Sequence, residues 1–91
     1  MTIKWVHTDP LVMNGEPFLY GTRLTVRRLL ELRASGFDGA QLLKEMPELR
    51  IVGIARAYEF AVANREHYEV FFDSDGTLLG PELTPEEASL V

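Results

Sequence analysis

The chain contains no cysteine, which excludes disulfides, thiol nucleophiles and thiolate metal sites and fits a reducing compartment. Histidine is nearly as scarce. His7 and His67 stand far apart, and neither has a carboxylate at ligand-like spacing, so no metal, no other cofactor and no catalytic residues are expected. No apolar run approaches the roughly 18–20 residues that cross a bilayer. Met1 to Pro10 lacks the apolar core of a secretory signal. The expected location is the cytoplasm, away from membranes. Basic residues also run out: none follows Arg65.

What is present has an ordinary globular balance. Hydrophobic residues make up 46% and charged residues 25% of the 91 positions, enough for one folded domain and too apolar for a wholly disordered chain. A domain this small buries only about 60–65% of its unfolded surface. The charge, however, is unevenly spread. Residues 1–65 carry all nine Lys and Arg against seven acids, a balance of +2. Residues 66–91 carry seven acids (Glu66, Glu69, Asp73, Asp75, Glu82, Glu86, Glu87) and no Lys or Arg, a balance of −7. Two units are therefore expected: a mildly basic body over 1–65 and an acidic C-terminal tail over 66–91 that binds a partner. The alternative for the tail is a solubilising role alone.

Ile3 to His7 reads as a short strand and Phe18 to Tyr20 as a second, separated by the turn signals Asp9-Pro10 and Asn14-Gly15. Thr25 is placed as the N-cap of a helix whose apolar stripe is Val26, Leu29 and Leu30, with Gly36 as its left-handed end. Asp38 caps a second, short helix carrying Leu42 and Leu43, which Pro47 stops. A third helix follows Leu49, with Ile51, Ile54, Ala55, Tyr58, Ala61 and Val62 on one face. In the tail, Glu69 to Phe72 is strand-like and Asp73-Ser74-Asp75-Gly76 is a turn. Thr77 to Leu79 returns as a hairpin, and Thr84-Pro85-Glu86-Glu87 starts a helix. The fold class expected is α+β: a short N-terminal strand pair, a three-helix helix-turn-helix-like unit, and a C-terminal tail of hairpin and short helix.

One local pattern points to chemistry. Val70-Phe71-Phe72-Asp73-Ser74-Asp75-Gly76-Thr77 resembles the first motif of haloacid-dehalogenase-type phosphatases, in which an apolar strand presents a nucleophilic Asp and an acid–base Asp two residues on. That chemistry also needs a Lys on the phosphoryl oxygens, further carboxylates for magnesium and a doubly wound sheet. No Lys or Arg follows the motif, and the upstream residues read mostly as helix. The expectation is an acidic turn, and a protein that is not an enzyme.

The stretch from Asp9 to Tyr58 resembles the bacterial VapB-type antitoxin family, domain of unknown function 433. The residues that carry the resemblance are Asp9-Pro10, Gly15, Pro17, Leu19, Gly21-Thr22-Arg23, Val26, Leu29-Leu30, Gly36, Leu42-Leu43, Pro47, Leu49, Ile54 and Ala57-Tyr58. Gly15 and Gly21 suit positive-φ positions around a tight strand pair. The resemblance implies a small helix-turn-helix-like domain, a cognate toxin of the PIN-like ribonuclease class and binding to operator DNA.

Candidate DNA contacts are Arg23, Arg27 and Arg28, the densest basic cluster, with Arg50 and Arg56 near the start of the third helix. Against this, Arg23 can tie the turn to Asp9, and Arg27 and Arg28 can form a plain solvated face. The opening Arg50-Ile51-Val52-Gly53 also offers few polar side chains to base edges. Trp5, Phe18 and Tyr20 read as strand packing rather than as a stacking platform. Candidate toxin contacts are Arg65, at the junction of body and tail, with Tyr68, Phe71, Phe72, Leu78 and Leu79 as apolar anchors; the alternative for Phe71, Phe72, Leu78 and Leu79 is that they complete this domain's own core. The function expected is that of a type II antitoxin, homodimeric through the strand edge at Ile3 to His7. The alternatives are a stand-alone DNA-binding regulator and a structural protein-interaction module.

Overall fold

The structure is a computed structural model and describes residues 4–90. It is an α+β fold. Strands β1 (Val6–His7) and β2 (Phe18–Leu19) pair antiparallel, with Val6 opposite Leu19 and His7 opposite Phe18. Both strands are shorter than the sequence pattern suggests, and Ile3 lies outside the described residues. Gly15 and Gly21 do take positive φ, 81° and 78°, on either side of β2.

Helix α1 (Val26–Ala34) begins where Thr25 Oγ1 accepts the amide of Arg28 at 3.0 Å. It ends in a Schellman turn: Phe37 N–H donates to Leu32 O, Gly36 N–H donates to Arg33 O, and Gly36 sits at φ 110°. Helix α2 (Gly39–Glu45) carries a full capping box, with Asp38 and Gln41 each bonding the other's backbone N–H. Helix α3 (Ile51–Ala63) is the central element and packs against both strands and against α1 and α2. Ile54, Ala55, Tyr58 and Ala61 are buried as the helical spacing predicts, and so are Gly53 and Ala57. Val62, expected on the same stripe, is instead 48% exposed. Gly53 is needed for a steric reason: a Cβ there would stand 3.3 Å from the Trp5 ring.

The change of charge at Arg65 has no counterpart in packing. After α3 the chain makes two 3-10 turns, Arg65–His67 and Glu69–Phe71. These drop Tyr68 and Phe71 into the same core cluster as Val26, Leu29, Leu30, Ile54 and Tyr58. The segment expected as a strand, Glu69 to Phe72, is therefore mostly helical turn; the 3-10 spacing sends Tyr68 and Phe71 inward and leaves Val70 73% exposed. The expected hairpin is reduced to one bridge, Phe72 to Leu78.

Helix α4 (Pro85–Leu90) packs on α3. Its first turn is a capping box: Thr84 N–H donates to Glu87 Oε1 at 2.9 Å, and Glu87 N–H donates to Thr84 Oγ1 at 3.2 Å. Glu87 is fully buried against Gly39, where a Cβ would meet its carboxylate at 2.6–2.9 Å. Arg33 is the other buried charged residue among those described. Its guanidinium lies 5.0 Å from the centre of the Tyr58 ring and donates to the Pro81 carbonyl. Burial, and after it the charge of Glu87, pushes the Tyr58 hydroxyl well above the ordinary tyrosine range, against the opposing pull of Arg33.

Candidate partner-binding surface

The 3-10 turns and the tight loop after them bring Arg65, Glu69, Phe72, Asp73 and Asp75 around one open cleft of about 340 Å3. The loop is built by Asp73. Its Oδ1 accepts the amides of Asp75 and Thr77 at 2.9 and 3.0 Å, while its backbone closes the turn with Gly76 and Thr77. A short acidic side chain that caps its own turn is ordinary Asx chemistry. Arg65 is draped over the Phe72 ring at 5.1 Å, and its Nη2 donates to Gly76 O at 3.5 Å. Its position is thus set by an aromatic face and a carbonyl, and its charge stays in solvent.

Six acids of the C-terminal segment face water, Glu69, Asp73 and Asp75 at the cleft and Glu66, Glu82 and Glu86 elsewhere on the segment. Among the described residues none of the six pairs with a Lys or Arg; the His67 imidazole lies 3.9 Å from Glu66. The seventh acid, Glu87, is withdrawn into the core. The described residues contain no group of three His, Asp or Glu side chains placed to hold a metal ion.

The expected toxin contacts divide. Arg65 and Phe72 meet in the cleft. Leu79 is 36% exposed, and Leu78 is half-buried against the core. Tyr68 and Phe71, expected as partner anchors, are at 3% and 9% exposure and belong to this chain's own core. Ring burial also raises the Tyr68 hydroxyl above its ordinary pKa, with Glu16 adding to the shift and Arg27 opposing it.

The expected DNA contacts do not form one patch. Arg27 is engaged internally: Nε meets Glu16 Oε1 at 3.3 Å, Nη2 donates to His67 O at 2.9 Å, and the guanidinium covers Tyr68 at 5.1 Å. Arg28 lies 3.7 Å from Glu31, and Arg56 pairs with Glu59. Arg23 is exposed and does not reach Asp9, whose carboxylate accepts from Leu11 N–H instead. Arg50 is exposed, and its one hydrogen bond is to the Leu49 carbonyl at 3.4 Å. Helix α3, in the place of a recognition helix, carries only Arg56 and Glu59 as polar side chains outside the core.

Two residues that organise the fold were not singled out from the sequence. Arg33 reads as a helix C-terminal cation, and Glu87 reads only as a cap. The one available signal for Glu87 is the capping box, which fixes its backbone but not its burial. Comparison with known proteins gives one result: residues 6–61 match the family described as protein of unknown function (DUF433). No curated protein and no solved structure matches the chain.

Proposed function

The chain belongs to the DUF433 family, and from that premise we propose that it is a non-enzymatic antitoxin. In this reading it binds and neutralises a PIN-like ribonuclease in the cytoplasm, as a homodimer joined through the free edge of β1. One observation carries it: six exposed carboxylates on the C-terminal segment without a Lys or Arg partner. Such a surface fits the basic rim along which a ribonuclease holds its RNA, and it speeds the encounter through complementary fields. Arg65 lies on the Phe72 ring beside Glu69, Asp73 and Asp75. In this reading it is the cation that reaches the acidic metal centre of such an enzyme. The family resemblance over Asp9 to Tyr58 supports the same class of partner.

The test uses a PIN-like ribonuclease as the partner, with RNA cleavage as readout. A variant combining Glu66→Gln, Glu69→Gln, Asp75→Asn, Glu82→Gln and Glu86→Gln keeps the Asp73 turn and the buried Glu87. It is expected to inhibit at least tenfold less well, with a flatter salt dependence of the association rate. Inhibition equal to that of the parent chain would remove the acidic surface from the interface.

A further inference from the structure

Side chains alternate across a strand, so a two-stranded sheet with one face on the core turns the other face to water, where polar residues are the rule. Here Val6 and Leu19 face the core. The opposite positions are Trp5 and His7 on one strand and Phe18 and Tyr20 on the other. All four are rings. They form a continuous row in the order Trp5, Tyr20, His7, Phe18, with centroid spacings of 6.1, 5.4 and 6.0 Å. The Tyr20–His7 and His7–Phe18 planes are tilted by only 30° and 36°, while Trp5 stands at 88° to Tyr20, edge to face. Tyr20 is 53% exposed, and the other three are half-buried. Trp5 closes one end of the row against Gly53.

Beside that end lies a cleft of about 300 Å3 lined by Trp5, Tyr20, Gly21, Glu48 and Arg50. Two cations stand at this end: Arg23 in the loop that follows Tyr20, and Arg50 in the cleft wall. Lys4 falls on the other side of the strand, in a cleft with Val6, Arg56 and Glu59. Arg23 and Arg50 are exposed, and among the described residues neither makes an ion pair. Glu48 is the acid that faces the same cleft. The charge of this end is thus opposite to that of the C-terminal segment.

We propose that this ring-bearing sheet face binds single-stranded nucleic acid, with an unstacked base on Tyr20 and the backbone held by Arg23 and Arg50. Aromatic rows on sheet surfaces serve splayed bases because every base offers a π face, and neighbouring cations follow the phosphates. A duplex hides its base faces and cannot use the row. The site is separate from the acidic surface and does not depend on the antitoxin reading.

Trp5 is the only tryptophan in the chain, so its emission reports on the site directly. The full chain is titrated at low salt with labelled oligouridylate and oligothymidylate of about ten nucleotides, within the usual site size of such surfaces, and with a duplex of equal length. Expected are saturable quenching of Trp5 and a matching rise in anisotropy with the single strands. Affinity should fall with salt at a log–log slope of about −1.4, as for two phosphate contacts on a single strand. Tyr20→Ala should cost roughly tenfold or more in affinity, Tyr20→Phe should retain binding, and Arg50→Gln should weaken it and flatten the slope. A preference between the two oligomers would tell RNA from DNA. Equal binding of duplex, or unchanged affinity in Tyr20→Ala, would overturn the proposal. So would the absence of any low-salt response, or quenching that follows protein concentration rather than oligonucleotide, which would mark the face as a contact between copies.

Discussion

Arg33 and Arg65 make the same local contact in opposite surroundings. Each lays its guanidinium over a ring, Arg33 on Tyr58 at 5.0 Å and Arg65 on Phe72 at 5.1 Å, and each donates to a carbonyl of the C-terminal segment. Arg33 is 3% exposed and shares the interior with Glu87, whereas Arg65 faces solvent. A stacked cation in water contributes about 0.5–1 kcal/mol, because the charge keeps its hydration. The same cation in the interior has lost that hydration. Among the described residues it makes no ion pair with Glu87, and the two buried charges act in opposite directions on the Tyr58 hydroxyl between the elements that carry them. Like contacts thus serve unlike ends: Arg33 fastens the last helix to the body, and Arg65 remains available to a partner.

The largest expected effect tests the buried half of that pair. Ending the chain at Asn64 removes Tyr68, Phe71 and Glu87, so Arg33 is left facing an open core. The truncated chain should show no cooperative melting transition by circular dichroism, since small domains hold only about 5–15 kcal/mol in total. A cooperative melt close to that of the full chain would show that the C-terminal segment is an accessory to the core.

The next effect isolates the charge. Glu87→Ala should lower unfolding free energy by about 1–3 kcal/mol in denaturant titrations, because it removes the capping bond to Thr84 and the buried carboxylate opposite in charge to Arg33. Joining Arg33→Met to Glu87→Leu should recover more than half of the loss, as expected when an ionic core cluster is exchanged for an apolar one. Two single-site losses that simply add would mean the charges do not interact. The smallest stability effect belongs to Arg65→Ala, expected within about 0.5 kcal/mol of the parent chain. The same substitution should weaken inhibition of the ribonuclease about tenfold or more, as Arg anchors at interfaces do. A large loss of stability with unchanged inhibition would reverse the roles assigned to the two arginines.

The elements that the sequence announced are those governed by near neighbours. Thr25, Asp38 and Thr84 each cap the helix they precede, and Gly36 ends α1 in the left-handed region. In each case the deciding bonds span a few residues. The failures come from distant partners. Glu69 to Phe72 has strand-forming residue types, yet the apolar pocket beside α1 takes Tyr68 and Phe71 at helical spacing. Arg33 has the composition of a surface cation, and only Pro81 and Glu87, far along the chain, make it an interior one. The candidate surface was half legible. Arg65, Phe72 and the excess of acids could be named from the sequence, which left Phe71 open between core and partner and gave no sign that Tyr68 is buried.

The bond from Arg33 to Pro81 spans 48 residues, and this separation gives the protein a timetable during synthesis. Helices form in about a microsecond, whereas a ribosome adds roughly 5–20 residues per second. Arg33 is therefore made roughly 2–10 s before the segment that covers it. Through that interval the nascent chain holds an unfinished interior, open to chaperones and proteases. Completion waits on the stretch from Pro81 to Glu87, so intermediates stalled before it are the ones a protease should remove, and finished chains are the ones that persist.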